Sequence, residues 1–348
     1  MEGVDKIINL AQDNIWFTYL LKSVREDTQW IDVEREIALV LKMFEEFFVD
    51  ADGDFMIMEA KCSNVCKYVI SNFPFFYTRK LNIVNGMEPY REIREQYYEE
   101  YPPSSGIKKV DKDKIIKVLY KKLEDFSECL RWYLKCFVDS SLDMIRQETG
   151  FKHVEAICSI NQTITFNYTN TAEKLYSHHG VFHLHGNINS KIILGINPDE
   201  NDMLDTVNTS FIAFKKYYQR VYLGTDEDYI KWLKNMIETK EKLSLLIMGH
   251  SLDVTDKDII KELFNCANEI IVLYHSEEAQ RSLIKNLIKI FGYEEFNRIR
   301  NNKSLTFKST SSDFSEFIRV RKEKQYEELA QKMFLEEHNE NCEQIYVI

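Results

Sequence analysis

Apolar residues recur at every third or fourth position through most of the first 150 residues, which is the spacing of amphipathic α-helices. This spacing predicts helices over residues 15–24, 27–49, 55–76 and 111–144. The longest of them carries an apolar stripe that includes Ile115, Leu119, Phe126 and Leu130. Because such a stripe usually faces a protein core, we expect it to pack inward. Residues 1–150 are therefore predicted to form a mostly helical flank.

After residue 150 the pattern changes, and short β-branched or aromatic runs alternate with helical segments. Strands are predicted at residues 163–166, 181–185, 191–194, 243–248, 270–274 and 305–308. The run Leu243–Met248 is apolar on both faces, which is typical of a buried strand in a parallel sheet. We expect it at the centre of the sheet, flanked by 163–166 and 270–274. Alternating strands and helices indicate an α/β fold with a mostly parallel sheet.

The domain organisation follows from this change of pattern. We predict a helical flank over residues 1–150, an α/β core over 151–320, and a charged C-terminal helix and tail over 321–348. The last residues, 336–348, are expected to be frayed.

Polar residues stand where two of the predicted strands end. Asn167 follows the first run, and His185 precedes Gly186 at the end of the second. Ligands of open α/β sheets bind beyond the carboxyl ends of the strands, so an exposed amide and imidazole there could orient a water and act as a general base. In the alternative interpretation, Asn167 caps the next helix and His185 satisfies a buried carbonyl.

A second polar group follows Leu243–Met248. Backbone N–H groups of Gly249 and Ser251 could receive a phosphate or ribose oxygen. Asp253 and Asp256 favour hydroxyl contacts over a bare phosphate, but either acid could instead cap the helix that begins at Lys257.

Two further patterns have competing interpretations. His183 and His185 lie on one strand face and could hold a metal, but further ligands at a set spacing are lacking, so we expect no metal. The basic and aromatic turn Lys215–Arg220 could contact a nucleotide or an acidic partner. Such a cluster is more often a solvated face with its tyrosines packed beneath.

Composition narrows the class of protein. The chain has 348 residues, of which 44% are hydrophobic, and a net charge of -11. That charge makes a nucleic-acid partner unlikely. No apolar run is long enough to span a membrane, and no leader pattern opens the chain. The seven scattered cysteines fit reduced core residues. We therefore expect a cytoplasmic protein with no membrane partner.

Six segments occur in a characteristic order along the chain: Trp30–Glu34, Thr165–Glu173, His183-Leu-His-Gly186, Ile193-Leu-Gly195, Phe214–Arg220 and Met248–Asp256. Together they resemble the AbiH family of bacterial phage abortive-infection proteins. The resemblance covers about residues 14–320. The order of these segments along the chain makes the match specific.

The family is in turn similar to sirtuin-type domains, with a Rossmann-type sheet. That resemblance implies cleavage of the nicotinamide–ribose bond of NAD. It would make Asn167 and His185 catalytic, and would put Gly249, Ser251 and Asp253 at the NAD-binding turn. Family members usually open with a strand and a Gly-Asn-Gly-Phe-Asp-type turn, and this chain begins downstream of that position. We therefore expect a truncated or divergent N-terminus.

Three functions remain open at this point. The first is a phage-defence protein that hydrolyses NAD. The second is a catalytically inactive, sirtuin-shaped binding module that contacts a phage or host protein. The third is a metal-dependent hydrolase or nuclease built on His183, His185, Asp253 and Asp256. A phage or host protein could also be the trigger. The chain could also associate with further copies of itself as a homo-oligomer.

Overall fold

The computed structural model describes residues 2–24, 32–50, 56–58, 69–83, 86–100, 108–149, 162–176, 180–196, 209–239, 243–302, 305–310, 323 and 344–347. The chain divides into two compact units. The first contains Met1–Tyr133 and Lys191–Tyr222, and the second contains Leu134–Ser190 and Leu223–Ile348. The boundaries near residues 150 and 320 stay a prediction.

The α-helices are α1 (Glu2–Ala11), α2 (Ile15–Ser23), α3 (Val33–Asp50), α4 (Lys112–Tyr133), α5 (Ser140–Thr149), α6 (Thr171–Tyr176), α7 (Lys216–Leu223), α8 (Glu227–Thr239), α9 (Lys257–Cys266) and α10 (Glu277–Asn302). A π-helical segment, Leu134–Asp139, joins α4 to α5. Within the described residues, 3₁₀ helices lie at Glu95–Tyr97, Thr209–Phe214 and Val254–Asp256.

The strands are β1 (Met56–Met58), β2 (Phe76–Ile83), β3 (Gly86–Ile93), β4 (Tyr98–Glu100), β5 (Lys108–Val110), β6 (Gln162–Thr165), β7 (Phe182–His183), β8 (Leu243–Ile247), β9 (Glu269–Tyr274), β10 (Leu305–Ser309) and β11 (Gln344–Val347). The first five form two small antiparallel sheets. The helix predicted over 55–76 is therefore wrong at β1, and Cys62 and Cys66 lie outside the described residues.

The first unit is built around the apolar face of α4. Its stripe packs inward at Ile115 and Leu119, which are fully buried, whereas Phe126 and Leu130 are only partly buried. The indole N–H of Trp16 donates to the Leu119 carbonyl over 2.9 Å. Asn14 caps α2 by accepting from two backbone N–H groups, and its amide donates to the Lys122 carbonyl over 2.9 Å. One buried side chain thus satisfies a helix start and ties it to α4.

Helix α7 reverses the arrangement predicted for its basic and aromatic residues. Lys216 is 1% exposed and its Nζ lies 2.7 Å from Glu34 Oε1. Gln219 is also buried and bonds both the N–H and the carbonyl of Leu194. Tyr217, in contrast, is 38% exposed. The predicted solvated face is therefore wrong, because the cationic and amide groups here are buried and contact polar groups of their own chain.

Gly195 lies at a close approach of two backbone segments in this unit. A Cβ atom built at Gly195 would collide with the Phe214 carbonyl oxygen. That carbonyl also accepts from the Ile196 N–H over 2.8 Å, which fixes its position. The predicted strand 191–194 is absent, and Ile196 instead forms an isolated bridge with Lys215.

Gly195→Ala is expected to lower the free energy of unfolding by about 1–3 kcal/mol, because the added methyl group has no space beside the fixed carbonyl. Urea denaturation measures the change. Asn189→Ala, at an exposed position nearby in sequence, is the control and should leave the midpoint unchanged. Equal midpoints for the parent and Gly195→Ala would contradict this account of the close approach.

The second unit contains a six-stranded sheet in the order β10-β9-β8-β11-β6-β7. Every neighbouring pair is parallel, which confirms the predicted α/β class. Each residue of β8 is buried, as its apolar run predicted. One neighbour of β8 is β9, as expected. The other is β11, so the prediction that β6 lies directly beside β8 is wrong.

Strand β11 corrects the expectation of a frayed tail. Residues 344–347 pair with β8 on one side and with β6 on the other. The predicted charged helix before it, apart from Glu323, lies outside the described residues. Within the part of the chain that the structure describes, no helix combines the length and apolarity needed to cross a bilayer.

Candidate functional site

Asn167 lies two residues beyond the end of β6, and its side chain is exposed. Its N–H donates to Thr165 Oγ1 over 3.1 Å. Its carbonyl lies 3.0 Å from His183 Nδ1. The backbone is thus held on both sides while the amide side chain faces solvent. This matches the predicted position at the carboxyl end of the strand.

His185 follows β7, which is parallel to β6. The prediction of an exposed histidine is wrong, because His185 is only 4% exposed. Its Nε2 lies 3.1 Å from Oδ1 of Asp256, which is itself 7% exposed. The two atoms are within ionic contact distance but do not have the geometry of an aligned hydrogen bond. A buried carboxylate is costly without such a partner, so Asp256 and His185 stabilise each other.

His250 completes a cluster around Asp256. Its Nε2 lies 3.8 Å from Asp256 Oδ2, and its Nδ1 accepts the N–H of Leu252 over 2.9 Å. A backbone N–H can only donate, so Nδ1 carries a lone pair and the ring proton is on Nε2. The ring of Phe166 contacts both imidazoles, at centroid distances of 5.2 Å to His185 and 4.3 Å to His250.

The turn after β8 holds His250 in place through an uncommon backbone conformation. Gly249 has φ 70 and Leu252 has φ 51. The left-handed region suits glycine, but costs a buried leucine of order 1–3 kcal/mol. Leu252 is fully buried, so packing sustains the turn. Ser251 is exposed, and its carbonyl accepts from Asn286 Nδ2 over 3.0 Å.

The two acids after this turn have different roles. Asp253 caps the following 3₁₀ helix by accepting the Thr255 N–H over 3.1 Å. Asp253 is thus a cap, but of this 3₁₀ helix and not of α9, the helix that begins at Lys257. Asp256 stands at the start of α9 but makes no capping bond with its side chain, because its carboxylate faces the two histidines. Gly249, Ser251 and Asp253 remain predicted contacts of a bound nucleotide.

The structure therefore brings together His185, His250 and Asp256 at the carboxyl ends of β7 and β8, with Asn167 beyond the end of β6. The sequence placed Asp256 among the possible hydroxyl contacts and metal ligands, but did not predict it as the partner of His185. Asp256 directly precedes Lys257, the first residue of α9, so its place in the sequence fits a helix cap equally well. His250 offered no signal beyond its place after a buried strand.

We expect the purified protein to contain neither zinc nor iron in stoichiometric amount. Among the described residues, His, Cys, Asp and Glu side chains form no group of three or more arranged to hold a metal ion. Elemental analysis of the protein, with the dialysis buffer as blank, checks this. About one metal per chain would instead make His183 and His185 candidate ligands.

Comparisons with known proteins agree with the resemblance in the motifs. No curated protein and no solved structure matches the chain. The family model described as bacteriophage abortive infection AbiH matches residues 6–275. This match spans more than half of the chain and includes all the site residues above. The chain therefore belongs to the AbiH family of bacteriophage abortive-infection proteins.

Proposed function

We propose that this AbiH-family protein acts in phage defence by hydrolysing NAD at the carboxyl edge of the parallel sheet. The observation that carries the proposal is the contact of Asp256 with His185, beside the turn that presents Asn167. The same proposal includes a sirtuin-like, Rossmann-type sheet, which the parallel strand order supports. Ligands of such sheets bind beyond the carboxyl ends of the strands, where the candidate site lies.

The reaction would break the bond between ribose C1′ and the nicotinamide nitrogen and form a bond from C1′ to a water oxygen. Nicotinamide leaves as the neutral base, and the water loses a proton. His185 would accept that proton. Asp256, ionised and buried, would stabilise the imidazolium that results, since an opposite charge nearby favours the charged ring. The Asn167 amide would orient the water or a ribose hydroxyl.

The turn after β8 would supply the nucleotide contacts. Ser251 is exposed at this turn, and Gly249 has no side chain to obstruct a ligand. Asp253 could contact a ribose hydroxyl only with the carboxylate capacity that its capping bond leaves. Capping uses one acceptor site of a group that has about four, so the two roles are compatible.

The test is release of nicotinamide from NAD by the purified protein, followed by chromatography, with heat-denatured protein as the blank. Steady release that scales with protein concentration supports the proposal. If no nicotinamide appears while the folded protein still protects cells from phage, the alternative applies. The protein would then be an inactive binding module that contacts a phage or host protein.

A further inference from the structure

His183 contacts oxygen atoms through both of its ring nitrogens. Its Nδ1 lies 3.0 Å from the carbonyl of Asn167, and its Nε2 lies 2.8 Å from Glu173 Oε1. The ring is buried, with a side-chain exposure of 6%. Glu173 belongs to α6, the helix that directly follows the Asn167 turn. The contact therefore links a strand, a turn and a helix around one backbone carbonyl.

Hydrogen-bond chemistry sets the orientation of this ring. A carbonyl can only accept, so Nδ1 must carry a proton and donate it to Asn167. Nε2 then faces Glu173 either as a second N–H beside a carboxylate, or as a lone pair beside a protonated acid. Both assignments place one proton between His183 and Glu173, and both keep the Nδ1 donor directed at Asn167. The first satisfies all contacts with charge-assisted bonds.

A second anchor holds the far end of the same turn. The N–H of Asn170 donates to Asp139 Oδ1 over 3.0 Å. Lys174 Nζ lies 3.0 Å from Asp139 Oδ2 and donates to the Asp139 carbonyl over 3.0 Å. The turn from Asn167 to Asn170 is thus fixed at both ends by ionisable groups. The side chain of Asn167, at the first end, stays exposed.

We propose that His183 and Glu173 are positioning residues that fix the orientation of Asn167 at the candidate site. They would act through its carbonyl and would not touch the substrate. The role of Asn167 in catalysis rests on the proposed function, whereas its orientation by His183 does not. Misplacing a catalytic group by about 1 Å can cost on the order of 100-fold in rate. The single bond from His183 to this carbonyl, with Glu173 holding the ring, is therefore sufficient to matter.

The first experiment observes the Asn167 carbonyl directly. Asn167–Tyr168 is the only Asn-Tyr step in the sequence. Labelling asparagine with ¹³C at the carbonyl and tyrosine with ¹⁵N therefore gives one correlation peak in a carbonyl–amide NMR spectrum. We expect His183→Leu to shift that carbonyl resonance upfield, because the carbonyl loses its donor. His183→Asn, whose amide can occupy the Nδ1 position, should keep the resonance close to that of the parent.

Glu173→Ala gives an independent route that keeps the histidine. It should move the same peak in the direction seen for His183→Leu, because the ring loses the partner that orients it. His275→Leu is the matched control, since His275 is an exposed histidine after β9, and it should leave the peak unmoved. Superimposable peaks for the parent, His183→Leu and Glu173→Ala would overturn the proposal.

The second experiment separates the two proposals. If the parent releases nicotinamide, His183→Leu should lower kcat by about 100-fold with KM close to that of the parent, and His183→Asn should recover most of the rate. Unchanged kcat in His183→Leu would overturn the positioning role. If the parent releases none, NAD hydrolysis fails, and the carbonyl resonance alone decides whether His183 orients Asn167.

Discussion

Replacing His185 with glutamine is expected to lower the rate of nicotinamide release by about 100- to 10,000-fold, which is the usual contribution of a general base. The amide nitrogen of glutamine can occupy the place of Nε2 and keep the contact with Asp256. It cannot accept a proton at neutral pH. The variant therefore removes the chemistry and keeps the buried partner of the carboxylate.

Two measurements accompany that variant. His275→Gln makes the same chemical change at an exposed strand end and should retain full activity. Thermal unfolding should show that His185→Gln is folded. His185→Ala is a poorer test, because it removes a contact of the buried Asp256 and costs stability as well as activity. Retained activity in a folded His185→Gln would exclude His185 as the base.

Leu119→Asp is expected to lower the free energy of unfolding by on the order of 3 kcal/mol or more, because it places a charge in a site with no solvent. Leu119 is fully buried in the core of the first unit, and its carbonyl receives the Trp16 indole N–H. Urea denaturation followed by tryptophan fluorescence reports on this region directly.

Lys117→Asp is the control for helix propensity and charge. It introduces aspartate into the same helix at an exposed position. Apart from the change in helix propensity, it should lower the free energy of unfolding by only about a few tenths of a kcal/mol. An unchanged midpoint for Leu119→Asp would mean that the apolar stripe of α4 is not a core. The stripe would then be a candidate interface with a partner protein.

Local pattern was sufficient to predict most elements of the second unit. The unbroken apolar run of β8 and the polar residue after β6 placed both strands and their carboxyl ends correctly. Periodicity also gave α4 and its buried stripe. These predictions succeed because burial on one or both faces imposes a period on the sequence.

The remaining features depend on contacts between distant segments. His185 and Asp256 are neighbours in space, yet nothing in their spacing distinguishes a helix cap from the partner of a histidine. The burial of Lys216 depends on Glu34, a residue of another helix. Strand β11 has only four residues, and its partners β6 and β8 lie far away along the chain. The local sequence pattern does not reveal such a pairing.

The alignment of the candidate site residues depends on β11, a strand that is distant from them in the sequence. Among the described strands, the pair β6–β7 is hydrogen-bonded to β8–β10 only through β11. Local opening of β11 would leave β6 and β7 without a hydrogen-bonded connection to the rest of the sheet, and a two-stranded piece is marginal on its own. Such openings occur below the free energy of global unfolding. Asn167 and His185 would then lose their alignment while β8, β9 and the turn at His250 stay protected from hydrogen exchange.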